Sequence, residues 1–301
     1  MKKLAITIIV VAIASISWAQ QQPLYSQYAF NGLLLNPAIA GSTEFSPIIL
    51  TARQQWVGIA DAPKTQAISG YTQMGRNDNI GVGGYIYNDK FGPVSRTGIQ
   101  GIFAYHLKIT SKIKLGLGLS VSAFQYKLDE SKLNIIDDND IAITGKTETT
   151  FVPDANFGAY LYHKKYYIGL TAAQLFQFSV NVGDKSNENK MVRHYYLTGG
   201  YLFKLSESFD IEPSILLKTT EQTPIQLDIN TKVIYKKNYW FGISYRTEDA
   251  VIAMLGLKYN RYSIGYAYDY TLSNLNNYSQ GSHEIMIRID FAKERVGSSL
   301  L

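Results

Sequence analysis

The sequence predicts an all-β protein: a transmembrane antiparallel β-barrel of about fourteen strands, preceded by a short N-terminal segment. Three observations carry this. Several stretches alternate apolar and polar residues with period two over ten residues or more. The chain holds 23 Tyr, 24 Gly and 13 Phe but only 18% charged residues, where a soluble domain carries about a quarter. Its connections alternate between tight turns and long loops.

The first element is a leader. Lys2 and Lys3 form a positive n-region, Leu4 to Ile16 an apolar core, and Ser17-Trp18-Ala19 a small-x-small cleavage site. Residues 1–19 therefore read as a signal peptide. The apolar run falls short of the ~20 residues that span a bilayer as a helix. No later stretch is long and apolar enough to do so.

Next comes an N-terminal segment, residues 20–45, with PLYSQYAFNGLLLNPAIAGS at 23–42. It is rich in apolar and aromatic groups but has neither a helical nor a strand period. Asn31-Gly32 and Asn36-Pro37 read as turns, because an Asn side chain can hydrogen-bond nearby backbone. Left in water the segment would form a sizeable apolar patch, which marks an interface. Two roles are open to Tyr25, Ser26, Gln27, Tyr28, Phe30, Asn31, Asn36 and Pro37. They fold back and plug the periplasmic half of the barrel lumen, or they dock another protein.

Residues 46–292 carry the barrel. In KIKLGLGLSVSAFQY (112–126), Ile113, Leu115, Leu117, Leu119, Val121 and Ala123 share one face, and Lys, Gly and Ser residues share the other. Such alternation is the signature of a strand. In RYSIGYAYDY (261–270), Tyr262, Ile264, Tyr266, Tyr268 and Tyr270 oppose Ser263, Gly265, Ala267 and Asp269. In HEIMIRIDF (283–291), Ile285, Ile287, Ile289 and Phe291 oppose Glu284, Met286, Arg288 and Asp290. Apolar faces edged with Tyr suit a lipid-facing wall, and small or polar faces suit a lumen. Strands are expected near 46–57, 64–75, 79–89, 95–108, 112–127, 153–163, 165–176, 191–205, 208–219, 223–236, 238–247, 250–259, 261–271 and 281–292. A soluble sandwich would also alternate, but its strands are usually shorter.

The connections fit the same reading. One set is tight: 76–78, 109–111, 163–164, 206–207, 236–237 and 260. The other set holds the long loops 128–152, 177–190 and 272–280. Outer-membrane barrels have short periplasmic turns and longer outside loops, so both termini are expected in the periplasm. Phe291 is the aromatic near the end of the last strand, and residues 293–301 form a short tail.

Nothing in the chain carries a convincing catalytic or cofactor signature. There is no cysteine, which excludes disulfides and thiolate metal sites. ITGKT (143–147) resembles the end of a phosphate-binding loop, but Asp140 stands where its first glycine belongs. HEIMI (283–287) begins like a zinc-binding helix, but Ile287 replaces the second histidine and the stretch alternates as a strand. SKIK (111–114) lacks the companions of a Ser-x-x-Lys site. His106, His163, His194 and His283 show no ligand spacing. Asp137, Asp138 and Asp140 in loop 128–152 could hold calcium, yet the loop lacks the glycine and closing Glu of an EF-hand, and a solvated acidic loop is the simpler expectation. A net charge of +5, about +3 after loss of Lys2 and Lys3, is too small and dispersed to suggest nucleic acid. A barrel hydrolase with a rim histidine such as His194 is the enzymatic alternative.

Several segments together resemble the PorP/SprF family of type IX secretion. The N-terminal one carries Ser26-Gln27-Tyr28, Phe30-Asn31, Asn36-Pro37-Ala38 and Ala40-Gly41. Others are RQQW (53–56) with Pro63 and Thr65, FGAYLYHKKYYIGLTAAQL (157–175), GYLFKL (200–205) with EPSILLK (212–218), YWFGISYRTEDAV (239–251) and IGYAYDYTLSNLNNYSQGSHEIMI (264–287). Gly32 stands where the family more usually has proline, and Ile39 where it has an aromatic. The resemblance implies an outer-membrane barrel, not an enzyme, acting in type IX secretion or gliding motility. Its implied partners are outer-membrane lipids, other secretion components and, for some members, a large secreted surface adhesin; no cofactor is implied. A passive channel for small solutes is the alternative function.

Overall fold

A computed structural model describes residues 23, 25–75, 78–133, 145–180, 190–221 and 223–292. The signal peptide, the acidic stretch with Asp137, Asp138 and Asp140, and the tail after residue 292 lie outside them. Fourteen strands follow in chain order: β1 Phe45–Gln54, β2 Lys64–Met74, β3 Ile80–Phe91, β4 Val94–Lys108, β5 Lys114–Asp129, β6 Thr147–Tyr162 and β7 Tyr166–Ala173. Then come β8 His194–Tyr201, β9 Phe209–Thr220, β10 Gln226–Tyr235, β11 Tyr239–Arg246, β12 Ala250–Tyr259, β13 Tyr262–Thr271 and β14 Ser282–Ala292. Past a break at Leu202, Phe203–Lys204 continues β8 along β9.

Each strand pairs antiparallel with its chain neighbours, and β1 closes the barrel on β14 from Phe45↔Ala292 to Gln54↔His283. Closure leaves no free edge, which a sheet needs in hydrocarbon, where unpaired backbone groups have no water to satisfy them. An even strand number brings the entry to β1 and the exit from β14 to the same rim. That rim also carries the tight turns. Asn260, alone with Arg261 between the paired Tyr259 and Tyr262, takes φ 54°, a left-handed value that asparagine tolerates. The opposite rim carries the long loops.

The alternation in the sequence becomes the two faces of the wall. On β5, Leu117, Leu119 and Val121 point outward and are exposed, while Gly116, Gly118 and Ser120 point inward and are buried. On β14, Ile285, Ile287 and Phe291 face out, and Glu284, Met286 and Asp290 face in. The expected strands all occur. Among the ends that shift, those of β6, β7 and β8 surround one irregularity in the wall. β6 starts at Thr147, pairing as far as Asp129 in a long hairpin with β5. β7 stops at Ala173 and β8 begins at His194, because the chain leaves the ladder at Gln174, which adopts φ 60°. Side chains take over there: Asn156 accepts from the Gln174 amide at 2.9 Å and Asp154 from the Phe176 amide at 3.2 Å.

The lipid-facing reading makes a prediction at Leu119, half exposed near the middle of β5. Leu119→Arg should destabilise the folded barrel by about 2–4 kcal/mol. Equilibrium unfolding of the protein in lipid vesicles measures this; an effect under ~0.5 kcal/mol would contradict a membrane position for this face.

Candidate functional site

The N-terminal segment lies inside the barrel. Tyr25, Ser26 and Gln27 sit in the half nearer the long loops, beside residues late in β1 and early in β14. From there the chain descends to Gly41, close to Gly81 at the start of β3, and enters β1 at the tight-turn rim. It therefore crosses most of the lumen, with its first described residues in the half nearer the long loops. Its irregular backbone supplies its own partners. Gly32–Leu34 and Pro37–Ile39 form two 3-10 turns, closed by bonds such as Leu35 N–H to Gly32 O at 3.0 Å and Ala40 N–H to Pro37 O at 3.2 Å.

The upper end is held by charge. The Glu284 carboxylate accepts the backbone amides of Ser26 and Gln27, one on each oxygen, at 2.7 and 2.9 Å. Ser26 Oγ donates to Asp269 at 2.7 Å and accepts from Arg53 Nη1 at 2.6 Å. Arg53 reaches Asp269 at 2.7 Å and Glu284 at 3.4 Å, and all three side chains are almost fully buried. The network continues to Arg246, which binds both oxygens of Asp228 through Nε at 3.0 and 3.1 Å and Asp249 through Nη1 at 3.2 Å. Charges this deep persist only when paired and hydrogen-bonded, and the segment's backbone supplies part of that pairing.

The middle is held by packing. Tyr28 clusters with Ala173, Tyr196 and Leu216. Phe30 packs at a tilt against Trp240 with centroids 4.9 Å apart, and Lys232 Nζ lies 4.6 Å from the Phe30 ring. Asn31 accepts from Ser69 Oγ at 3.2 Å. Leu33 and Ala40 join Tyr71, Ile102 and Ala104. On the tight-turn side of this layer a cavity of about 160 Å³ remains, bordered by Asn31, Tyr71, Tyr160, Tyr167 and Arg288.

The lower end rests on bare backbone. Asn36 caps the second turn by accepting from Ala38 N–H at 2.9 Å, and its amide nitrogen donates to the carbonyls of Ala159 and Leu170 at 3.1 and 3.3 Å. Pro37 is buried at the first position of that turn. A Cβ on Gly118 would collide with the Ala38 amide, and one on Gly81 with the Ala40 carbonyl. Only glycine admits this approach. His106 Nε2 bonds the Ala40 carbonyl at 2.7 Å while its Nδ1 meets the Tyr162 hydroxyl at 3.0 Å. The two departures from the family pattern are neighbours: a Cβ on Gly32 would come 2.6 Å from Ile39 Cδ1.

All eight residues singled out in the segment thus lie inside the barrel: Tyr25, Ser26, Gln27, Tyr28, Asn31, Asn36 and Pro37 are buried and Phe30 is half-buried. Sequence reasoning missed Arg53, Asp269, Glu284, Arg246 and Asp228. The available signal was a charge on the inward parity of an otherwise small-residue face. HEIMI is strand β14, and SKIK spans the turn into β5. His194 is not at an open rim; it is fully enclosed in the wall and bonds Gln174 and the Val192 carbonyl through Nδ1. Among the described residues, no three His, Asp or Glu side chains form a group that could hold a metal.

A closed fourteen-stranded wall, apolar outside and polar inside, defines an outer-membrane β-barrel protein. Within that class the chain belongs to the PorP/SprF family: the description "Type IX secretion system membrane protein PorP/SprF" matches residues 17–289. Among solved structures, the toluene transporter TbuX of Ralstonia pickettii is similar, with TM-score 0.55 and 9% identity over 86% of this chain and 93% of that one. The monoaromatic hydrocarbon channel CymD gives TM-score 0.50 and 12% identity over 87% and 93%. At these identities the likeness is one of fold. No curated protein sequence matches the chain.

Removing Glu284 strands two backbone amides and leaves Arg53 under-compensated. Glu284→Ala should cost about 3–5 kcal/mol, and amide exchange at residues 25–31 should accelerate well before that of β5. Gly118→Val should instead expose residues 36–41 first. Uniform acceleration along the chain in both variants would show that the segment has no separate anchors.

Proposed function

We propose that this barrel serves type IX secretion as a docking or anchoring module rather than as the conduit. Its tight-turn rim and both chain ends face the periplasm. There it holds machine subunits, or retains a secreted partner such as a large surface adhesin, at the outer membrane. In this reading residues 23–42 act chiefly as a plug that stiffens the wall, so the rims present a fixed surface. The observation that carries it is the filled lumen: the segment runs through it, tied to Glu284 above and to Asn36 and His106 contacts below. A lumen so occupied has no room for a folded adhesin.

The alternative, a passive channel for small solutes, draws on the fold shared with the transporter TbuX and the channel CymD. One pair of measurements separates the two. In planar bilayers the intact protein should show no stable conductance, while a variant lacking residues 25–42 should conduct. A deletion strain should lose surface display of one secreted substrate while its other outer-membrane proteins stay normal. An unchanged surface proteome, or steady conductance by the intact barrel, would overturn the docking reading.

A further inference from the structure

Exposed cations gather along one arc of the tight-turn rim. At the long-loop rim Lys132 pairs with Asp129 at 3.0 Å, Arg193 with Glu221 at 3.4 Å and Arg246 with Asp249 at 3.2 Å, while Lys64, Lys90 and Lys127 are exposed. Along the tight-turn rim, Lys164, Lys165, Lys204, Lys236, Lys237 and Arg261 are all exposed. The ion pairs found among the described residues use other cations: Arg53, Lys132, Arg193, Lys232, Arg246, Lys258 and Arg288. These six residues occupy four successive tight turns, from β6–β7 to β12–β13, and so follow one arc of the barrel.

Just membrane-ward of that arc runs a ladder of outward-facing rings. Tyr166 and Tyr201 stack at 6.2 Å, and Tyr201 meets Phe203 at 4.4 Å. Phe209 meets Tyr235 at 4.8 Å, and Tyr235 meets Tyr239 at 6.3 Å. Such a belt marks the level at which hydrocarbon gives way to head groups. Two of the cations lie against outward-facing rings. Lys236 Nζ lies 5.3 Å from the Tyr235 ring, and Arg261 lies 5.0 Å from Tyr262 and 5.8 Å from Phe291 while donating to the Tyr262 hydroxyl at 2.8 Å. Contacts with outward rings hold these charges at the flank of the wall, not along the barrel axis where a protein capping the rim would meet them.

We infer that this arc binds anionic phospholipid head groups of the leaflet at the tight-turn side. The apolar ladder fixes the depth, and the cations beyond it meet phosphates within a Debye length of the lipid surface. The inference concerns lipid and is independent of the docking role.

The test uses the mature chain folded in neutral detergent, with folding checked by heat-modifiable gel migration. The protein is offered equal amounts of phosphatidylglycerol and phosphatidylcholine, and bound lipid is counted by native mass spectrometry. Wild type should retain phosphatidylglycerol about five-fold or more over phosphatidylcholine, since each basic residue near an anionic surface favours it by several-fold. The preference should shrink to under about two-fold in K164Q/K165Q/K236Q/K237Q/R261Q. It should persist in the long-loop control K64Q/K90Q/K127Q/K132Q. Equal retention by wild type, or a preference lost only in the control, would overturn the inference. Absence of lipid preference with salt-sensitive binding of polyglutamate would overturn it in favour of an acidic protein. Displacement of bound phosphatidylglycerol by millimolar glycerol phosphate would overturn it in favour of a soluble phosphate ligand.

Discussion

The contact between the Glu284 carboxylate and the amides of Ser26 and Gln27 joins two things that are otherwise separate, the wall and its filling. A barrel of fourteen strands is too wide for inward side chains alone to close its centre. The polar inner face must therefore meet either water or another piece of protein. Here it meets the segment, and the inward charges of β1, β13 and β14 are compensated by one another and by the segment's backbone. Without that compensation, Arg53, Asp269 and Glu284 would be buried charges whose desolvation no packing could offset.

The location of the latch has a consequence for assembly. Arg53 lies on the first strand and Glu284 and Asp269 on the last two, so the three side chains straddle the seam at which the barrel closes. The latch cannot be complete until β1 and β14 have paired, so the upper anchor of the segment depends on barrel closure. The glycine approach at Gly118 and Gly81, which involves strands distant from the seam, is free of that requirement.

The wall was legible in the sequence because period two is a strong signal wherever one face meets lipid and the other does not. Leu117, Leu119 and Val121 against Gly116, Gly118 and Ser120 left little freedom. The loop parity was legible for the same reason: tight turns need residues such as Asn260 at positive φ. The shortened β7 was not, because Leu175 and Phe176 continue an apolar-looking run, and only the side chains of Asn156 and Asp154 reveal that the ladder has already ended. The charge network was hidden for a different reason. Arg53, Arg246, Asp228, Asp269 and Glu284 are single charges scattered over more than two hundred residues, and only the closed register brings them together.

That register also gives a physical account of the segments that carry the family resemblance. Arg53 opens RQQW, Asp269 lies in the stretch that ends in HEIMI, Glu284 is within HEIMI, and Arg246 lies in YWFGISYRTEDAV. Arg53, Asp269 and Glu284 meet Ser26 and Gln27, and Arg246 joins them through Asp269. The Asn36 amide rests on Ala159 and Leu170 of FGAYLYHKKYYIGLTAAQL, and Leu216 of EPSILLK packs on Tyr28. Segments far apart in the chain are thus parts of one contact surface, the inner lining that receives residues 25–41. Gly32 and Ile39 follow the same logic inside the segment. A side chain at 32 would need the space that the Ile39 tip fills, so these two positions fit each other, and Ile39 packs against the cluster of Leu33 and Ala40 with the wall residues Tyr71, Ile102 and Ala104.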